Sequence, residues 1–365
     1  MKNSFGNNLT VTLFGESHGE YIGAVLDGLA PGIRIDDEYI KAKLTLRRPA
    51  GKISTARVEG DEYMIVSGAY NGFTTGTPLC ILIPNQNKKS ADYQKTLDVP
   101  RPGHADFTAR EKYHGFEDHR GGGHFSGRIT AALVAAGAIL GSALESKGIK
   151  IGSHITELRG AYDRSFEDYE SEIDLVNSRQ FPTLTDEAEE RMKKEIEKAA
   201  SMGDSVGGIL ESAIIGLPRG LGEPWFDSVE SMLSHGLFAI PGVKGVEFGL
   251  GFAFADIYGS EANDPFVIRN GEIITETNNN GGINGGITNG MPITFRTVIK
   301  PTPSIFKEQT SVSLSEMKEV ALKLEGRHDP AIIHRARAVV DAVAALTVAD
   351  LLTGRFGTDY LASKE

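Results

Sequence analysis

The sequence has a single cysteine and no excess of basic residues, and each of these features excludes certain kinds of site or partner. Its 365 residues include one cysteine, Cys80, which excludes an intramolecular disulfide and a cysteine-rich zinc site. With 38 lysines and arginines against 49 acidic residues, the formal net charge is −11. Nucleic acids and anionic membrane surfaces need a basic face, so we predict neither as a partner. Small anions can still bind at local arginines.

Long apolar runs and targeting patterns are also missing. No stretch of about 18 uninterrupted apolar residues occurs, so we expect no membrane-spanning helix. Residues 1–19 carry neither the apolar core nor the cleavage-site pattern of a secretory signal. We therefore predict a cytoplasmic protein, in keeping with the single cysteine.

Glycine, by contrast, is abundant, with 43 residues, and it gathers with histidine and arginine in one segment. Residues 101–128, RPGHADFTAREKYHGFEDHRGGGHFSGR, hold four of the nine histidines. Arginines supply paired donors for phosphate and carboxylate, and histidines exchange protons near neutral pH. The segment predicts an anion site. A metal site on His114, His119 and His124 is the alternative, although a spacing of five does not align on a helix.

Hydrophobic patterning predicts a mixture of strands and helices. We predict strands at 9–14, 22–27, 63–68, 79–84, 209–216, 246–254 and 293–299, and helices at 36–47, 129–144, 185–200 and 331–352. The helices at 129–144 and 331–352 are apolar on nearly every face and must lie inside the protein against sheets. An α+β layered fold follows. No linker divides the chain, so we predict one domain over 1–365. Residues 25–44 and 214–233 share a strand–turn–helix pattern, which suggests an internal duplication.

A turn with the sequence GESHG places Ser17 and His18 between glycines, directly after a predicted strand. Glycines on both sides permit a sharp turn that presents these side chains outward. An ordinary hairpin is the alternative. A serine nucleophile activated by this histidine is the least favoured hypothesis, because adjacent residues cannot easily serve as nucleophile and base for each other.

Two later segments also combine glycine with groups that bind phosphate or exchange protons. Residues 278–290, NNNGGINGGITNG, are followed after one strand by Lys300–Ser304, KPTPS, and this pairing favours a cofactor loop over a flexible linker. In Gly326–Pro330, GRHDP, an aspartate before a proline is typical of a helix N-cap. A cap does not exclude catalysis, so Asp329 is also a candidate acid or base.

Eight motifs, in this order, resemble the chorismate synthase family. They are FGESHG, RPGHAD, RGGGHFSGR, GDSVGG, VKGVEFG, GGINGGITNG, KPTPSI and GRHDP, and they run from residue 14 to residue 330. The chain looks like a bacterial member of the monofunctional type. The resemblance implies removal of phosphate and a ring proton from 5-enolpyruvylshikimate 3-phosphate, an anti 1,4-elimination that gives chorismate in the shikimate pathway of aromatic amino acid biosynthesis. It also implies a requirement for reduced FMN without net redox change.

The resemblance further implies a layered β-α-β sandwich, with buried helices between antiparallel sheets. It implies a homotetramer, an external flavin reductant, an association with NADP and no metal. Because the substrate carries two carboxylates and a phosphate, an arginine-rich pocket inside an acidic protein is expected.

Roles for individual residues come with the resemblance. His18 would protonate the departing phosphate, His104 would hold or protonate the reduced flavin, and Asp329 would assist proton removal. The substrate-binding residues would be Ser17, Arg47, Arg48, Lys52, Arg101 and Arg128. The FMN-binding residues would be His124, Phe125, Ser126, Pro241, Gly242, Gly285, Lys300, Pro301, Thr302, Pro303, Ser304 and Arg327.

The chain departs from the family pattern in three places that affect the predicted site. Many members carry Arg-Ser where this chain has His124 and Phe125, so one expected anion contact is lost or replaced. After LRRP the chain is one residue shorter, and Lys52 would replace a family arginine as a weaker point charge. Family members have Asn-Ala where this chain has Pro241 and Gly242, which would contact FMN through backbone only.

Two rival functions stay open at this point. A non-catalytic flavin- or phosphate-binding protein would keep the glycine-rich loops, but binding alone does not require His18, His104 and Asp329 in three separate loops. A metal-dependent hydrolase built on the loop histidines would be inhibited by chelators.

Overall fold

Two five-stranded antiparallel sheets enclose a layer of helices in the computed structural model, which describes residues 2–49, 53–54, 60–86, 97–326 and 328–363. The strands are β1 Ser4–Phe5, β2 Thr10–Gly15, β3 Tyr21–Asp27, β4 Pro31–Arg34, β5 Met64–Ser67, β6 Ala69–Tyr70, β7 Phe73–Thr75, β8 Leu79–Pro84, β9 Lys150–Leu158, β10 Ala161–Tyr162, β11 Gly208–Ile215, β12 Val243–Phe248, β13 Phe266–Arg269, β14 Glu272–Thr275, β15 Ile283–Asn284, β16 Ile287–Thr288, β17 Ile293–Ile299, β18 Gln309–Ser313 and β19 Lys318–Leu322. The α-helices are α1 Asp37–Arg47, α2 Asp106–Tyr113, α3 Thr130–Glu145, α4 Tyr169–Ser178, α5 Asp186–Ser201, α6 Val229–Phe238, α7 Gly259–Ala262 and α8 Ile333–Phe356.

Apart from β1, which precedes its neighbour β2 in the chain, and β10, which follows its neighbour β9, the two sheets have the same connectivity. The first has the order β1-β2-β3-β8-β5 and the second the order β10-β9-β11-β17-β12. In each sheet two antiparallel neighbours come first, a helix (α1 or α6) follows, and two more strands and a long helix (α3 or α8) complete the set. A duplicated strand–turn–helix unit would have this arrangement. The duplication and the single domain remain predictions.

Helices α3 and α8 form the central layer. Helix α3 packs on β3 and β8 of the first sheet, α8 packs on β9 and β11 of the second, and the two helices pack on each other. In α3, 13 of 16 residues are buried, because its sequence is apolar on every face. The window Gly127–Glu145 is long and apolar enough to cross a membrane, but 83% of it is buried inside the protein. The α+β prediction is confirmed.

The central helices approach each other most closely at Gly137 of α3. A Cβ atom placed on Gly137 would lie 2.5 Å from Cβ of Ala342 in α8 and 2.8 Å from the carbonyl oxygen of the same residue. Real Cβ atoms do not occupy such positions, so the separation of the two helices depends on glycine here.

Replacing Gly137 by alanine is expected to lower the free energy of unfolding by about 1–3 kcal/mol, because overpacking outweighs the better helix propensity of alanine. Chemical denaturation provides the measurement. Gly259→Ala is the matched control, since a Cβ on Gly259 has nothing within 4 Å. Equal stability of Gly137→Ala and the wild type would contradict the close approach of α3 and α8.

Most predicted elements are confirmed, and one strand is shorter than expected. The charged helix predicted at 185–200 is α5, capped by the Thr185 side chain, and the strand predicted at 293–299 is β17. The strand predicted over 246–254 ends at Phe248 as β12, and a 3₁₀ helix occupies Gly251–Asp256. The chain turns there because Gly249 and Gly251 adopt left-handed φ values, which a regular strand does not allow.

Candidate active site

The imidazole of His18 packs against the glycine triplet Gly121–Gly123. His18 follows β2 on a buried turn, and the amide of Ser17 donates to the carbonyl of Gly123 at 3.1 Å. The three glycines have φ values of 63°, 94° and 53°, in the left-handed region that favours glycine. A Cβ on Gly121 would overlap the His18 ring and lie 2.9 Å from Ser17 Oγ. The triplet is therefore shaped around this histidine.

A hydrogen-bonded chain orients the His18 ring. Ser17 Oγ donates to the carbonyl of Arg120 at 3.1 Å and lies 3.2 Å from His18 Nδ1. Because the hydroxyl proton points at the carbonyl, the hydroxyl oxygen accepts from Nδ1–H, which assigns the lone pair of the neutral ring to Nε2. Ser17 thus positions His18, while its predicted contact with substrate stays a prediction.

The GESHG turn is a hairpin, as the simpler alternative proposed. It joins the antiparallel strands β2 and β3. The residues Gly15–Gly19 have the G-x-S-x-G spacing, but the nucleophile elbow of hydrolases joins a strand to a helix. The backbone context therefore argues against a hydrolase nucleophile at Ser17.

His104 forms a triad of contacts with Asp106 and Arg101 next to Gly122 of the glycine triplet. His104 Nδ1 lies 2.6 Å from Asp106 Oδ1, and Arg101 donates to both oxygens of Asp106 at 2.7 Å. Arg101 Nη2 is also 3.1 Å from Nδ1, but a guanidinium cannot accept a hydrogen bond, so the Nδ1 proton points at the carboxylate. A Cβ on Gly122 would lie 3.4 Å from His104 Nε2, which places that nitrogen toward the triplet.

Asp106 has a functional position that the sequence interpretation missed, although it stands two residues after His104 in RPGHAD. Burial by itself would raise the pKa of Asp106, but hydrogen bonds from Arg101 and His104 outweigh burial and hold this pKa far below the usual range. The carboxylate is thus permanently charged near neutral pH and fixes the tautomer of His104.

Replacing Asp106 by asparagine is expected to lower the free energy of unfolding near pH 7 by about 1.5–3 kcal/mol, through loss of charged hydrogen bonds. The folded-state pKa of Asp106 is depressed, so its carboxylate stabilises the fold above the unfolded pKa of about 3.9 and loses this effect as pH falls through the folded value. The difference from wild type should shrink below about pH 4. Chemical denaturation across this pH range measures the difference in the free energy of unfolding. Asp118→Asn is the control, and its effect should be smaller because its partner Arg120 is half-exposed. An undiminished difference at low pH would contradict the assignment.

Arg47 and Arg128 meet at a buried carboxylate, that of Asp61. Arg47 Nη1 lies 3.1 Å from Asp61 Oδ2, and Arg128 Nη1 forms an ion pair with Oδ1. Arg48 Nε is 3.8 Å from Oδ2. Asn85 Oδ1 accepts from Arg128 Nε at 2.9 Å. Nothing in the sequence pattern marks Asp61 or Asn85, since their partners come from distant parts of the chain.

The KPTPS segment lies between the RPGHAD and GRHDP motifs. Lys300 Nζ donates to the carbonyl of Gly103 at 2.6 Å, and Thr302 Oγ1 donates to the carbonyl of Asp329 at 2.8 Å. The amide of Lys300 donates to the carbonyl of Gly242, which follows Pro241, at 2.9 Å. The KPTPS segment therefore contacts the RPGHAD motif, the GRHDP motif and the segment that contains Pro241 and Gly242.

Asp329 does not cap the following helix, so the capping interpretation is wrong. Helix α8 begins at Ile333, with Ile332 at its N-cap and no side-chain cap. The Asp329 carboxylate instead forms an ion pair with Arg335 Nη1 at 2.6 Å, and Arg335 Nε donates to the carbonyl of Arg47 at 2.8 Å. A charged partner one turn into the helix holds the carboxylate more strongly than backbone amides would.

These contacts form a closed ring of segments. In order, the ring contains the His18 turn, Gly121–Gly123, His104, Lys300–Ser304, Asp329, Arg335, Arg47, Asp61, Arg128 and Asn85. Asn85 closes the ring, because its Nδ2 donates to the carbonyls of Glu16 and Gly19 in the His18 turn at 3.0 and 3.1 Å. The structure thus brings together catalytic and substrate residues predicted in separate loops. Lys52 and Arg327 lie outside the described residues.

The remaining predicted residues differ in their relation to the ring. His124 Nδ1 lies 2.8 Å from the carbonyl of Gly15, and Ser126 Oγ accepts from the amide of Arg128, so both belong to it. Phe125 packs edge-on against Tyr113 at 6.1 Å. Gly285 stands apart: no hydrogen bond of the described residues links it to the ring, and the space beside its Cα is open.

The chemistry of the donor groups suits a ligand that carries a phosphate and a polar ring. Lys300 and Ser304 offer an ammonium and a hydroxyl group on one short segment, while the Thr302 hydroxyl donates to the Asp329 carbonyl. His328 Nε2 is buried and has no hydrogen-bond partner among the described residues, and its ring packs 5.3 Å from Phe306. Burial, with the nearby Arg101 cation, lowers the pKa of His328, which keeps this unsatisfied imidazole neutral.

A metal site receives no support from the part of the chain that the structure describes, where no group of three histidine, cysteine, aspartate or glutamate side chains is placed to hold an ion. His114 ends helix α2 in a left-handed conformation, and His124 Nδ1 is engaged with a backbone carbonyl.

Comparison with known proteins gives a consistent result. The family model described as chorismate synthase matches residues 9–353. A chorismate synthase of Thermococcus gammatolerans is 49% identical over 96% of this chain and 97% of its own length. One of Dehalococcoides mccartyi strain BAV1 is 45% identical, with 96% of each chain covered. A solved crystal structure of chorismate synthase superposes with a TM-score of 0.77 at 28% identity, covering 97% of this chain and 94% of that one.

Proposed function

The chain belongs to the chorismate synthase family, whose members are lyases of the shikimate pathway, and on that premise we propose that it converts 5-enolpyruvylshikimate 3-phosphate into chorismate and phosphate. The reaction is an anti 1,4-elimination. The observation that carries the proposal is the packing of two imidazoles, His18 and His104, on one glycine triplet beside a cluster of arginines. Acid–base groups and anion-binding groups are thus held within one ring of contacts.

The side chains of the ring have different roles in the elimination. In its protonated form, His18 donates a proton to the departing phosphate, and Ser17 keeps the ring oriented. Asp106 holds His104 in one tautomer, with Nε2 toward the glycine triplet. Arg101 and the arginines around Asp61 bind the phosphate and carboxylates of the substrate. Asp329 assists removal of the ring proton.

We propose reduced FMN as the cofactor. Lys300 and Ser304 would hold its phosphate, with Thr302 beside them, and His328 would find a partner for its unsatisfied Nε2 on the flavin ring. When bound, the reduced flavin supplies an electron-rich ring and a basic nitrogen beside the substrate. The predicted contacts from His124, Pro241, Gly242, Gly285, Pro301, Pro303 and Arg327 are part of the same proposal.

We further propose a cytoplasmic homotetramer of the bacterial, monofunctional type, supplied by an external flavin reductant. Large apolar side chains are exposed on the described surface at Trp225, Phe226, Phe252, Tyr258, Phe266 and Ile268. Exposed apolar surface of this extent is the kind that a protein–protein contact covers. These side chains support self-association as the way in which this surface is covered.

An anaerobic assay that follows phosphate release with photoreduced FMN tests the proposal. We expect turnover with reduced flavin, none with oxidised flavin and no effect of a chelator. Flavin binding without turnover would support the non-catalytic alternative, and inhibition by the chelator would support a metal-dependent hydrolase. Turnover without any flavin would contradict the cofactor assignment.

A further inference from the structure

Two of the four arginines expected to bind substrate anions, Arg47 and Arg128, have a partner in the protein at every side-chain nitrogen. Arg47 donates to Thr130, Asp61 and the carbonyl of Gly127. Arg128 donates in the same way through Nε, Nη1 and Nη2, to Asn85 Oδ1, Asp61 and the carbonyl of Pro84. The arginine side chains are 4% and 6% exposed, and that of Asp61 is 0% exposed. An incoming anion therefore competes with these partners for the guanidinium groups.

Asp61 is the partner best suited to leave. Thr130 belongs to α3 and Pro84 ends β8, so regular structure fixes both. Asp61 lies outside any strand or helix, just before β5, and has a φ of 46°. The left-handed region is uncommon for residues other than glycine, although aspartate adopts it more often than most. Ion pairs with two arginines hold the carboxylate in this conformation.

The charge balance explains why a carboxylate occupies this position. Two guanidinium groups buried side by side without a counter-charge are strongly unfavourable. Asp61 supplies a negative counter-charge that both guanidinium groups share, and an anion of the substrate can supply one in its place. Arg48, at 3.8 Å from Asp61 and 33% exposed, can contact that anion first.

We infer that Asp61 is an internal occupant of the substrate-anion site, whose carboxylate is exchanged for a phosphate or carboxylate of the substrate on binding. The inference rests on the proposed function for the identity of the substrate, but not for the exchange itself. Asp61 is a positioning residue: it keeps two arginines buried and correctly spaced before the anion arrives. Because only the open fraction of the protein binds, the apparent Kd equals the intrinsic Kd divided by that fraction.

Calorimetric titration with inorganic phosphate tests the exchange. In Asp61→Asn the internal competitor is removed, and we expect the Kd for phosphate to fall about tenfold or more. Asp118→Asn removes one negative charge from the half-exposed ion pair with Arg120 and should change this Kd by less than about twofold. Unchanged or weaker phosphate binding in Asp61→Asn would overturn the inference and make Asp61 a structural anchor.

Hydrogen exchange on the wild-type protein covers the case in which Asp61→Asn does not fold, and it separates exchange from simple electrostatics. With saturating phosphate, amides of residues 60–63 should exchange faster while those of α3 do not. Unchanged or slower exchange at 60–63 overturns the inference. Repeating the titration with 5-enolpyruvylshikimate 3-phosphate keeps the two proposals distinguishable. Binding of phosphate without binding of 5-enolpyruvylshikimate 3-phosphate contradicts the proposed function. Turnover without the expected changes in the phosphate Kd and in hydrogen exchange at 60–63 contradicts only the role of Asp61.

Discussion

Replacing His18 by alanine is expected to lower kcat by about 10²–10⁴-fold, the usual contribution of a positioned proton donor. The variant should keep its fold, because the imidazole contacts glycine residues that carry no side chain, and its loss leaves Ser17 bonded to the Arg120 carbonyl. Phosphate release under anaerobic conditions with reduced flavin measures the effect. We expect a loss of the same order for His104→Ala, whose ring is held by Asp106.

His114→Asn is the matched control for both histidine variants. His114 lies in the same histidine-rich segment but is exposed at the end of α2, with a φ of 59° that asparagine tolerates. Its activity should equal that of the wild type. A wild-type rate in His18→Ala or His104→Ala would show that the assigned role of that histidine is wrong, provided that circular dichroism shows an intact fold.

Replacing Gly121 by alanine should be nearly as damaging, with a loss of about 10²-fold in kcat, because the new methyl group overlaps the His18 ring and must displace it. A displacement of about 1 Å at a reacting group is enough for such a loss. Gly115→Ala is the matched control. Its φ of 80° imposes comparable backbone strain, but a Cβ there has nothing within 4 Å. Equal losses in both variants would assign the effect to strain and contradict displacement of His18.

The double variant His18→Ala/Gly121→Ala tests whether the glycine acts through the histidine. If it does, the double variant should be no slower than His18→Ala alone, because the ring that alanine at position 121 displaces is no longer present. Losses that multiply would show that Gly121 contributes independently, for example through binding of substrate by its backbone.

The sequence pattern was sufficient to predict an element wherever that element depends on residues close together in the chain. The apolar run of α3 has no polar face, so it must be covered on all sides, and the structure places it between the sheets. Thr185 and the acidic residues after it predict the start of α5, because capping depends on neighbours in the chain. The pairing of His104 with Asp106 is also local, and a closer inspection of RPGHAD could have found it.

Asp329 shows where the same local reasoning failed. Its position before a proline is typical of a cap, yet Arg335 binds its carboxylate and α8 begins at Ile333. Arg335 in turn contacts Arg47, which is 288 residues away in the chain. A competing partner brought in by the fold decides the role of such a residue, and no local pattern contains that information.

The sequence alone determined the four longest helices, seven of the strands, the layered fold class and the loops that carry acid–base and anion-binding groups, because each depends on residues close together in the chain. Only the tertiary structure decided that these loops meet in one ring, and that the carboxylate joining Arg47 and Arg128 belongs to Asp61, which is 67 residues from Arg128. The physical reason is that buried charges select partners by proximity after packing, and packing depends on the whole chain.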